Sequence, residues 1–208
     1  MARNNTITDI DNSTEEKIKK AARIVFTGKG YAAAKVRDIA AEADINVALV
    51  NYYFRSKEKL FEIIMDETIK KHVEKIQNVI NDESSTLEDK VEAIVEHYIG
   101  LLIENPELPY FFVNEIMSGS NKLPKMVSEN KLFMNSYFLK QLQARQKKGK
   151  MAFHPVNILV NMLGLIVFPF LARPLLVQSG TIQEDEFKQI IEERKKLVPI
   201  WLTQIMNQ

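Results

Sequence analysis

The chain has 208 residues, 46% of them hydrophobic and 26% charged, which is material for a packed core spread over one or two domains. A formal net charge of +1 neither demands nor excludes a nucleic-acid partner, because a local basic patch matters more than the total. The absence of cysteine removes a disulfide framework, a thiolate metal site and a cysteine nucleophile, and His72, His97 and His154 do not stand at metal-ligand spacing, so neither metal nor cofactor is expected.

Helical spacing dominates the rest. Residues 1–12 are polar, lack the apolar stretch of a signal peptide, and read as a disordered arm. A first helix is expected to open at Ser13, where Ser13-Thr-Glu-Glu16 has the form of a capping box. Ile18, Ala21, Ala22, Val25 and Phe26 then share one face, and Gly28 and Gly30 close the helix. A short helix over Val36–Ala43 follows, then a tight turn at Asp44-Ile45-Asn46. Asn46 is a good cap for a third short helix, Val47–Tyr53. Ser56 caps a long fourth helix reaching Asn81.

Downstream, Ser85-Thr-Leu-Glu88 opens a helix to about Glu104, and Asn105-Pro106 separates it from the next. Later helices are expected over Leu108–Met117, Pro124–Lys147, Pro155–Val177 and Ile182–Met206, giving an all-α chain of about nine helices. Within the eighth, the run Ile158–Ala172 is apolar but shorter than the roughly 20 residues a bilayer span needs, and Asn161 interrupts it. It reads as a buried helix rather than a membrane segment, and the protein as cytoplasmic.

Two short helices joined by a three-residue turn are the geometry of a helix-turn-helix. Charge strengthens that reading: Lys17, Lys19, Lys20, Arg23, Lys29, Lys35 and Arg37 occur in one stretch without an acid, and Arg55 and Lys57 follow the third helix. Tyr52-Tyr53-Phe54 cannot all enter one core. Phe54 is expected to bury, leaving the tyrosine hydroxyls to donate to phosphate oxygens. Lys57 opens the fourth helix, whose N-terminus favours a phosphate.

Gly30-Tyr31, Val36-Arg37-Asp38-Ile39-Ala40 and Val50-Asn51-Tyr52-Tyr53-Phe54-Arg55-Ser56-Lys57-Glu58-Lys59-Leu60 together resemble the DNA-binding half of the tetracycline-repressor (TetR) family of bacterial regulators. The resemblance covers about residues 14–62. It implies a three-helix DNA-binding domain over 13–57, and a helical ligand-binding and dimerisation bundle over 58–208. It further implies that Lys35 and Arg37 touch phosphate or a base edge, that Asn46, Val47, Ala48 and Asn51 face the major groove, and that Tyr52, Tyr53 and Lys57 hold phosphates. Asn51 is the candidate for direct base reading, since an amide pairs bidentately with adenine. Ala34 stands where the family often has a capping threonine, so that cap is missing or supplied elsewhere. Asp44 replaces a frequent turn glycine, which is tolerable because aspartate enters the left-handed region more readily than most residues.

The helices over about 155–177 and 182–206 carry more apolar surface than one intramolecular face can use, and together they fit a homodimer interface. Methionines and aromatics in the second half suit an adaptable apolar cavity. The effector-site candidates are His97, Leu101, Phe111, Phe112, Glu115, Met134, Phe138 and Met162. The expected function is a repressor that binds double-stranded operator DNA and is released by a small-molecule effector. The alternative is a helical small-molecule or partner-binding module without operator binding. An enzyme is not expected, for there is no glycine-rich phosphate loop and no nucleophile constellation.

Overall fold

The computed structural model describes residues 4–117 and 135–207, with the side chains of 4–12, Asn114 and Glu115 left aside. Among the described residues there are nine α-helices and no strand. They are α1 (Asn4–Lys29), α2 (Val36–Glu42), α3 (Val47–Phe54), α4 (Lys57–Asn81), α5 (Leu87–Glu104), α6 (Leu108–Met117), α7 (Tyr137–Lys147), α8 (Val156–Arg173) and α9 (Glu184–Met206). A π-helical turn, Pro174–Gln178, extends α8. The chain divides into two compact units, 1–71 and 72–208.

In the first unit α2 packs on α1 and α3 on α2. Its core is the set that helical spacing marks out: Ile18, Ala22, Phe26, Ile39, Ala40, Val50, Phe54, Leu60 and Ile64 are all buried. Phe26, Tyr31 and Phe61 form an aromatic cluster, with ring centroids 5.2 Å apart for Phe26–Phe61 and 4.5 Å for Tyr31–Phe61. Helix α1 starts at Asn4, upstream of the expected opening at Ser13. Neither glycine nor proline falls between the two, so the chain reaches the Ser13 box already helical and has no unpaired amides there to cap.

In the second unit α9 packs on α5 and α8, while α5 and α6 also touch α8. Several helix starts differ from expectation by a residue or two. Thr86 and Asp89, rather than Ser85 and Glu88, exchange the capping-box hydrogen bonds of α5. Helix α9 opens at Glu184, where the Glu186 carboxylate accepts from the Gln183 N–H at 2.7 Å. The hydroxyl of Thr181 is meanwhile taken by Ser179. The helix expected over 124–147 is described only from Tyr137, where Ser136 caps a fresh start by accepting from the Leu139 N–H at 3.2 Å; residues 124–134 lie outside the described residues.

Prolines shape α8. Pro169 has no N–H to give the Leu165 carbonyl, one turn back. The Arg194 guanidinium of α9 donates to that oxygen instead, at 2.7 Å. Pro174 withholds a second N–H, and there the ladder widens into the π-turn. The buried residues Ile158, Met162, Ile166 and Phe170 recur every fourth position and form one stripe. The opposite side, with Val160 60%, Leu163 62% and Phe168 66% exposed, is uncovered. Val156–Gln178 is long and apolar enough to cross a membrane by length and composition, and only 22% of its most apolar window is buried inside the chain. The expectation of a buried helix therefore holds for one stripe only, because α5, α6 and α9 cover one side and leave the other open.

Candidate nucleic-acid interface

The site is built on α2, α3 and the turn between them. Gly30 takes a left-handed φ of 75°, which lets the chain leave α1 and turn back. Helix α2 then starts without a side-chain hydroxyl at its cap. Ala34 is buried, and the Asp38 carboxylate reaches back to accept from the Lys35 N–H at 3.0 Å. The cap absent at Ala34 is thus supplied from inside the helix. Asp38 also pairs with Lys29 at 3.3 Å, and the hydrogen bond from Lys35, then the Lys29 ammonium, holds its carboxyl below the usual carboxylate range. Asp44 adopts φ 51° in the turn, as its short polar side chain allows. Asn46 caps α3 by accepting from the Leu49 N–H at 2.8 Å.

Helix α3 has two distinct sides. Val50 and Phe54, four residues apart, are 3% exposed and anchor it to the core. Asn46, Val47, Ala48, Asn51 and Tyr52 are all exposed on the remaining surface. Tyr52 stands 78% exposed with its ring against that of half-buried Tyr53, centroids 5.3 Å apart. Lys35 and Arg37 are exposed at the start of α2. The structure therefore brings Lys35, Arg37, Asn46, Val47, Ala48, Asn51 and Tyr52 to the surface of one helix-turn-helix, with Tyr53 half-buried beside them.

Two parts of the basic stretch are otherwise engaged. Lys19 is buried and pairs with Glu16 and with Glu67 of α4, the latter at 2.8 Å. Burial opposes its charge, yet those carboxylates outweigh it and hold the ammonium above its ordinary range. Arg23 donates to Thr68 at 2.6 Å and to Glu67 at 3.0 Å. These two cations tie α1 to α4 rather than enlarge a basic face. Lys57 also differs from expectation: it is half-buried, and its ammonium donates to the Tyr31 carbonyl at 2.9 Å and the Ala34 carbonyl at 3.0 Å. Tyr31 and Asp38, which help carry the family resemblance, also have structural roles that the resemblance leaves unassigned. The acid three residues after Lys35 was a legible capping signal, whereas nothing local marks Tyr31.

The effector-site candidates lie in the second unit. Leu101, Phe111, Phe138 and Met162 are buried there, on α5, α6, α7 and α8, and Phe112 is half-buried beside Phe111 with centroids 6.3 Å apart. The side chain of Glu115, and Met134 altogether, lie outside the described residues. His97 of α5 faces His72 of α4, with Nε2 and Nδ1 3.0 Å apart. Burial above all, then the charges of His72 and Lys75, pushes the His97 imidazole down to about 4, so it is neutral at pH 7. Burial alone pushes neighbouring Tyr98 up to about 12.

Residues 18–64 match the model of the tetR family of bacterial regulatory proteins. The chain is 23% identical over 200 residues to a Bacillus subtilis protein named "Probable HTH-type transcriptional regulator YttP", covering 94% of this chain and 95% of that one. It is 29% identical over 89 residues to the HTH-type transcriptional repressor NicS of Pseudomonas putida, covering 41% and 42% of the two. Among solved structures, a TetR/AcrR-family regulator from Thermobifida fusca superposes with a TM-score of 0.60 at 17% identity, covering 89% of this chain and 96% of that one. The regulator FadR from Bacillus subtilis, solved with stearoyl-CoA, superposes at 0.56 and 19% identity, covering 88% and 96%. The matched segment contains α2, α3 and the start of α4, the elements that carry the exposed polar surface, and over this segment the chain is similar to the bacterial regulatory proteins of the tetR family.

Proposed function

We propose that the protein is a repressor that binds double-stranded operator DNA as a homodimer and releases it when a small-molecule effector occupies the second unit. The observation that carries the DNA half is the division of α3: Val50 and Phe54 fix it from behind, and Asn46, Val47, Ala48, Asn51 and Tyr52 stand outward. Asn51 reads a base edge through its amide, Val47 and Ala48 meet thymine methyl groups, and Tyr52, Tyr53, Lys35 and Arg37 donate to phosphates. A second copy covers the apolar side of α8, where Val160, Gly164 and Phe168 recur every fourth residue. Exposed Ile190, Leu197 and Ile200 of α9 supply further apolar surface for the pairing. Two-fold pairing sets the reading helices about 34 Å apart, one turn of DNA.

The effector reading rests on the interior of the second unit. Apolar Leu101, Phe111, Phe138 and Met162 line it, and the neutral His97 imidazole, beside His72 and Tyr98, offers a hydrogen-bonding group. An apolar ligand with one polar end suits such a lining. Helix α4 belongs to both units, so an effector that favours one placement of α4 changes operator affinity through it. The test is fluorescence anisotropy on DNA from upstream of the protein's own gene, with and without candidate ligands. Salt-sensitive, sequence-selective binding weakened by a ligand supports the proposal; equal affinity for that DNA and for scrambled DNA refutes it.

A further inference from the structure

The Lys57 ammonium has a destination that the helix-turn-helix reading did not supply. It donates to the carbonyls of Tyr31 and Ala34 and lies over the Tyr31 ring, 4.2 Å from its centroid. An ammonium has three N–H donors; two are committed to carbonyls and the ring face takes the same side. A cation at the first residue of a helix sits at the positive end of the dipole, an unfavourable place. These carbonyls and the ring compensate for it. The next residue acts on the same turn: burial, then the charge of the Glu58 carboxylate, pushes the Tyr31 hydroxyl up to about 12. Both interactions fall on the turn between α1 and α2. Ala34 immediately precedes the Lys35 cap of α2, so whatever holds this turn sets where α2 begins, and α2 in turn carries α3.

We infer that Lys57 is a positioning residue, which fixes the α1–α2 turn against the start of α4 and so aims the recognition helix, and that it is not a phosphate ligand. This rests on the DNA-binding reading of the site and assigns one of its residues a different part. Salt dependence separates the two roles. Each phosphate contact released by a substitution flattens the slope of log K against log salt by about 0.9 on duplex DNA, whereas a misaligned helix weakens binding at every salt concentration with little change in slope.

The experiment measures operator affinity from low to high potassium chloride for the parent, Lys57→Met, Tyr31→Leu and Arg37→Met. Circular dichroism confirms folding at the assay temperature. Expected is a loss of about tenfold for Lys57→Met at all salts, a difference of about 1.4 kcal/mol, with the parent slope retained. Tyr31→Leu, which removes no cation, shows the same signature and carries the test alone if Lys57→Met does not fold. Arg37→Met flattens the slope. A flattened slope for Lys57→Met, or full affinity for Tyr31→Leu, overturns the inference. A parent that binds operator and scrambled DNA alike fails the DNA reading instead, a result distinct from both.

Discussion

Replacing Asn46 separates the stability of the recognition helix from its contact with DNA. Its side chain makes one structural hydrogen bond, accepting from the Leu49 N–H at 2.8 Å, at the start of a helix only 8 residues long. Losing such a cap typically costs ~1 kcal/mol, which corresponds to about a fivefold rise in local opening. Native-state amide exchange at Leu49 should therefore quicken by about that factor in Asn46→Ala. Asn46→Ser keeps an acceptor and should stay close to the parent. Asn46→Asp keeps the cap and gains from the helix dipole, yet it sets a carboxylate on the exposed face proposed to meet phosphates. It should be as stable as the parent and bind operator at least tenfold more weakly, a difference of about 1.4 kcal/mol. Unchanged exchange at Leu49 in Asn46→Ala would refute the capping argument, and parent-like affinity in Asn46→Asp would refute the placement of this residue against DNA.

Three further outcomes are expected. Phe168→Glu, on the open side of α8, should shift the protein from dimer to monomer in sedimentation velocity, because a carboxylate cannot enter an apolar interface unpaired; a stable dimer would count against that interface. Asp44→Val should lower the denaturation midpoint by the ~1–2 kcal/mol that left-handed backbone costs a β-branched residue, since Asp44 sits at φ 51°, while Asp44→Gly should not. His97 ionises near 4 in the folded chain against an ordinary 6.5, so between those values the unfolded chain binds the extra proton. The stabilisation is then complete above pH 6.5 and is lost as pH falls towards 4; denaturant titrations should show this for the parent and a flatter profile for His97→Gln.

Local chemistry made much of the first unit readable. Asn46 has a side chain that caps, Asp44 tolerates a left-handed turn, and Phe54, expected to bury among three consecutive aromatics, is buried. What was not readable depends on partners distant in sequence. Lys19 and Arg23 count as basic surface in the sequence but are spent on Glu67 and Thr68, more than forty residues away. Lys57 is likewise claimed by carbonyls at Tyr31 and Ala34, and no pattern around position 57 announces this. In the second unit, caps shifted by a residue or two because neighbouring hydroxyls and carboxylates compete for the same amides, as at Ser85, Thr86, Glu88 and Asp89.

The proline inside α8 has a consequence for recognition. The carbonyl that Pro169 leaves unserved is answered from α9, so the two helices are fastened by a hydrogen bond that neither makes alone. A fastening of this kind limits how the two helices move against each other, so a second copy settling on their outward apolar residues, as proposed, would have less freedom left to lose in binding. A change at Arg194, set behind that surface, should then loosen the grip without altering a single contacting atom.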